Sequence, residues 1–116
     1  MLESEIRNGH PWSVSTMSGW TPHGEDAALL ADLPAEDQQK VFKWIEDNLL
    51  MTEKTPDRYH SSYGLKQTLT RETGVYVTNN QFKDAMLLSG YVPVKVNELN
   101  WHFYLSRKSP AFHRKW

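Results

Sequence analysis

Cysteine is absent from the 116 residues. That removes disulfides and thiolate chemistry, and the plain expectation is a reducing cytoplasm. No apolar run reaches about 18 residues, so no membrane-spanning helix is expected. The opening MLESEIRNGHPW has neither a basic start nor an apolar core, so it does not read as a secretory signal. Metal ligands are equally thin. His10, His23, His60, His102 and His113 are scattered, none at H-x-x-x-H spacing, and no metal or other cofactor is expected. There is no G-x-S-x-G elbow and no phosphate loop, while Asp37, Glu46 and Asp47 read as solvated acids on a helix. No residue is assigned a catalytic role, and the chain is not read as an enzyme.

Glycine is scarce at six residues, so Gly74 and Gly90 stand out as stops. Between them, Thr78 fits a helix N-cap and Gln81 can reach back to the cap's own N–H. Val77 and Phe82 can clasp as a hydrophobic staple. Upstream, Pro34 suits the first position of a helix carrying Glu36 and Asp37 in its first turn. Phe42, Ile45 and Leu49 form its apolar stripe, with Val41 beside it. A second helix, capped by Ser61 or Ser62, runs to about Glu72 with Tyr63, Leu65 and Leu69 as its apolar residues. After Gly90, Val92, Val94 and Val96 alternate with other residues, as do Trp101, Phe103 and Leu105, which predicts a two-stranded hairpin turning at Asn97–Asn100.

The expected fold is therefore α+β: a three-helix, helix-turn-helix core closed by a C-terminal β-hairpin, which is winged-helix-like. Residues 26–105 form that domain. Residues 1–25 are an irregular arm packing on it through Trp12, Met17 and Trp20, and residues 106–116 are a basic, frayed tail. The helix phase puts Phe82 inside and Lys83 outside, so Phe82→Ala should destabilise by roughly 3–5 kcal/mol and Lys83→Ala should be nearly silent for folding.

Charge divides unevenly. Residues 1–50 hold three basic residues against nine acids, a balance of −6, whereas residues 51–116 hold ten against five, or +5. Such asymmetry points to nucleic acid or an acidic partner for the second half. In a helix-turn-helix the second helix enters the major groove by its N-terminal end. Here that end carries Asn79 and Asn80, which can bond adenine, and Lys83, which can reach guanine or phosphate. Lys66, Arg71, Lys95, Arg107 and Lys108 are the expected backbone contacts. The competing reading is a protein-binding module, with Trp12, Trp20, Asp26, Glu36 and Asp37 as contacts.

The pieces SSYGLK, GVYVTNNQFKDAMLLSGY, PV and ELNW lie within Tyr59 to Leu105. This segment resembles small, mostly uncharacterised proteins of phages and integrative or conjugative elements of Gram-positive bacteria. More distantly, it is similar to the C-terminal winged-helix module of virus-type primase–helicases. The resemblance covers about two-fifths of the chain, and no helicase motif accompanies it, so no ATPase function carries over. It implies an accessory protein of a phage or mobile element in a bacterial host cell; with the fold and charge above, the expectation is a non-enzymatic, cytoplasmic protein that binds nucleic acid. The alternative it implies is an inhibitor of a host defence system, similar to anti-CRISPR proteins, that occupies a host protein's nucleic-acid-binding surface. The oligomeric state is left open.

Overall fold

The computed structural model describes residues 28–113, together with the backbone of Ile6–Arg7 and His10–Pro11. Three helices carry the fold: α1 (Ala35–Asn48), α2 (Ser62–Thr73) and α3 (Asn79–Leu88). Short 3-10 turns at Leu30–Asp32 and Pro110–His113 flank them. β1 (Ile6–Arg7) and β2 (His10–Pro11) pair antiparallel, Ile6 opposite Pro11 and Arg7 opposite His10.

Each helix follows from local chemistry. α1 begins one residue after Pro34, whose carbonyl accepts from Gln38 N–H at 3.0 Å. Its buried face is Val41, Phe42, Trp44, Ile45 and, just past the end, Leu49. Of the two candidate serines, Ser61 caps α2, its Oγ accepting from Gly64 N–H at 3.3 Å. Gly74 ends α2 in the left-handed region at φ 79°, where a residue without Cβ costs least. In α3, Thr78 Oγ1 accepts from Gln81 N–H and Gln81 Oε1 accepts from Thr78 N–H, both at 3.0 Å, which is the reciprocal cap expected. Val77 and Phe82 are both wholly buried.

One core joins these faces: α1, Leu65 and Leu69 of α2, Phe82, Ala85, Met86 and Leu88 of α3, and Trp101, Phe103 and Leu105 from the C-terminal segment. Polar links cross it. Trp44 Nε1 donates to Glu72 Oε1 at 2.6 Å, tying α1 to α2, and Leu30 N–H donates to the buried carboxylate of Asp84 at 3.0 Å, tying the first turn to α3.

The C-terminal hairpin does not form, and the α+β, winged-helix-like expectation is overturned. Residues 92–105 make only isolated bridges, Pro93 opposite Phe103 and Met51 opposite Leu105. The reason lies in where the carbonyls go. Trp101, Phe103 and Tyr104 accept from Ser62, Asp57 and Thr52 N–H at 2.7, 2.9 and 3.1 Å, all in the stretch between α1 and the start of α2. Only His102 O receives a bond from the expected partner strand, from Val94 N–H at 2.8 Å. Pro93 has no N–H to give. Val96 O is taken by the Trp101 indole N–H at 3.1 Å. The alternation at Trp101, Phe103 and Leu105 does place all three in the core, but Val92 and Val96 are 57% and 61% exposed.

The segment after Leu105 also packs. Ser109 is wholly buried and its Oγ accepts from Leu50 N–H at 2.9 Å, while the Phe112 ring stacks on His60 with centroids 3.8 Å apart.

Candidate nucleic-acid interface

The residues expected at the tip of a recognition helix are turned to structural use. Lys83 is only 5% exposed. Its Nζ lies 4.8 Å from the Trp101 ring centroid and 3.5 Å from Glu98 O, so it clamps residues 98–101 against α3. Asn80 is buried. Asn79 Nδ2 donates to Leu99 O at 3.1 Å and to Asn100 Oδ1 at 3.0 Å. The start of α3 is therefore covered by the loop that was to have been the wing's turn.

Lys66 and Arg71, by contrast, come together on the outer side of α2. Leu65 and Leu69 point into the core, which turns Tyr63, Lys66, Gln67 and Thr70 outward at the i, i+3, i+4, i+7 spacing of one helical stripe. The chain then reverses at Gly74 and brings Tyr76 back alongside. The Lys66 ammonium lies over two rings, 4.9 Å from the Tyr63 centroid and 5.4 Å from that of Tyr76. Tyr63 and Tyr76 remain 47% and 68% exposed, whereas Lys66 itself is 9% exposed. Among the described residues Lys66 has no carboxylate within 4.0 Å; the ion pairs there are Lys40–Glu36, Lys43–Asp47 and His60–Asp57. Among the described residues, what meets its charge is the two ring faces.

Beside it lies an open cleft of about 350 Å³ lined by Lys66, Gln67, Thr70, Arg71 and Tyr76. Thr70 Oγ1 is shielded under this lining with no hydrogen-bond partner among the described residues. At the other end of α2, Tyr59 is 83% exposed. Tyr63, expected among the apolar residues of this helix with Leu65 and Leu69, is instead half-exposed. The stripe 63/66/67/70, set opposite Leu65 and Leu69, was the signal that could have found it.

The remaining expected contacts do not join this cleft. Lys95, Arg107 and Lys108 are exposed elsewhere, in the 92–100 segment and in the turn after Leu105. Glu36 and Asp37 lie in the first turn of α1, and Glu36 pairs with Lys40 at 3.8 Å. Trp12, Met17, Trp20, Asp26 and the end of the basic tail lie outside the described residues.

His60 and Tyr91 each have a polar partner. His60 Nδ1 lies 2.8 Å from Asp57 Oδ2, beneath the Phe112 ring. Tyr91 donates its hydroxyl to Leu49 O at 2.9 Å, and burial, helped by the nearby Glu46 charge, pushes its phenol up to about 12. Among the described residues no three His, Asp or Glu side chains are grouped to hold a metal ion, and no helix is long and apolar enough to cross a membrane. Comparison of the chain with protein-family models, with curated proteins and with solved structures gave no match.

Proposed function

We propose that this chain is a non-enzymatic accessory protein of a phage or mobile element that binds nucleic acid in the bacterial cytoplasm, using the outer face of α2. The observation that carries the reading is the Lys66 charge. It has no carboxylate to balance it among the described residues, it is framed by two exposed tyrosine rings, and it opens on a cleft shared with Arg71. An anion with flat, apolar faces complements this surface, and nucleic acid supplies both phosphate and base. The +5 balance of residues 51–116 adds a long-range attraction of the same sign. The setting in a mobile element rests on the resemblance of Tyr59–Leu105, and the absence of a helicase motif keeps ATP hydrolysis out of the reading.

The test is a titration of the full chain against labelled DNA and RNA at two salt concentrations. Phosphate contacts make affinity fall with salt, by a slope of roughly 0.7–0.9 per phosphate neutralised. Lys66→Met and Arg71→Ala should each weaken binding and flatten that slope, while Lys95→Ala should leave both nearly unchanged. No detectable binding to any nucleic acid at low salt would sink the proposal and leave the host-protein inhibitor as the reading to pursue.

A further inference from the structure

We infer that the α2 face selects single strands over duplexes, stacking unpaired bases on Tyr63 and Tyr76 with Lys66 anchoring the backbone between them. The inference rests on the reading above and narrows it. A duplex hides the faces of its bases and presents phosphates and groove edges, which are read by a helix end or ribbon inserted into a groove. This surface offers no such element. The N-terminal end of α3 is covered by residues 98–101, and 92–105 do not form a ribbon. What stands out on α2 is rings. The Lys66 ammonium lies over both the Tyr63 and the Tyr76 ring, so a strand laid on this face meets two exposed rings with one cation set against them.

The amide of Gln67 in the cleft fits the same ligand. Gln67, which is exposed, lines the cleft beside Arg71. An unpaired base carries free donors and acceptors on the edge that a complementary strand would otherwise use. Stacking tolerates any base, since every base has a π-face, so the expected preference is for strandedness rather than for sequence.

Fluorescence anisotropy separates the two levels of the argument. The probes are a labelled oligo-dT of about a dozen nucleotides and a duplex of equal length, titrated with the full chain. The single strand should bind at least roughly ten-fold tighter. Tyr76→Ala and Tyr63→Ala should each weaken single-strand binding by roughly ten-fold, leaving the salt slope intact, and Tyr76→Phe should restore it because the ring is kept. Lys66→Met should instead lower the slope by about one phosphate's worth. Both tyrosines are exposed, and an unchanged urea midpoint in each variant shows that the fold is intact. Equal affinity for duplex and single strand, or single-strand binding indifferent to both tyrosine variants, would overturn the strand preference while nucleic-acid binding stands. Binding to neither probe would overturn both, and retention of a purified host protein by the same face would assign it to a protein partner.

Discussion

Lys83 and Phe82 are sequence neighbours with opposite expected fates and nearly the same burial. Phe82 anchors the underside of α3, and Phe82→Ala should cost about 3–5 kcal/mol through the cavity it leaves. Lys83, read from helix phase as a surface residue, holds Trp101 and Glu98 O instead. Lys83→Ala should therefore cost about 1–3 kcal/mol, from the lost cation–ring contact and the lost hydrogen bond. Urea denaturation of the two variants decides the matter: a silent Lys83→Ala would return that lysine to the solvent face. The cap at Thr78 and Gln81 was readable because its partners lie three residues apart. The cover on Lys83 was not, because it comes from a loop fifteen residues later in the chain.

Tyr91 offers a second measurement at this scale. Unfolded, its phenol loses the proton near pH 10.0; folded, burial and Glu46 hold it to about 12. The folded state thus binds more protons across that interval. Its contribution is whole below pH 10 and is lost as pH rises through 12, on the order of 2–3 kcal/mol. Tyr91→Phe should be less stable at neutral pH, through the loss of the bond to Leu49 O, yet show a flatter decline between pH 10 and 12. An identical alkaline slope in both proteins would count against a buried phenol.

At the level of elements, the helices were legible and the hairpin misleading. Helix ends depend on caps and glycine stops that neighbouring residues announce, as at Ser61, Gly74 and Thr78. Strand pairing depends on which backbone groups compete for the same partners. Here the α1–α2 connector takes three carbonyls from residues 101–104, and the valine run is left with a single bond through Val94. Alternation of apolar residues reported the burial of Trp101, Phe103 and Leu105 but could not name their neighbour. Gly74 gives a clean test of the α2–α3 junction. A Cβ there meets nothing within 4 Å, so the cost of Gly74→Ala is backbone strain alone, about 1 kcal/mol. Gly74→Asn should cost less, since asparagine tolerates the left-handed region better. Thermal unfolding of the pair should rank them in that order; the reverse ranking would mean that Gly74 does not hold its positive φ.

Across the whole molecule, the same lysine count means different things in different places. Of the basic residues expected to face a ligand, Lys83 is sequestered, Lys66 and Arg71 share one cleft, and Lys95, Arg107 and Lys108 are dispersed. Composition could reveal the imbalance between the halves but not its placement, which depends on which face of each helix the core claims.

The bonds from Thr52, Asp57 and Ser62 to the carbonyls of residues 101–104 bear on how the protein is made. A nascent chain synthesised only as far as Asn100 already contains α1, α2 and α3, yet the amides between the first two still lack their acceptors, and the Ser62 hydroxyl has no Trp101 N–H to receive. Closure thus waits until residues 101–104 have been made, and products stalled or terminated before them expose an open core to proteases. A variant ending at Asn100 should be degraded by protease far faster than the full chain and lose its cooperative melt. Equal resistance would show that the three helices close without residues 101–105.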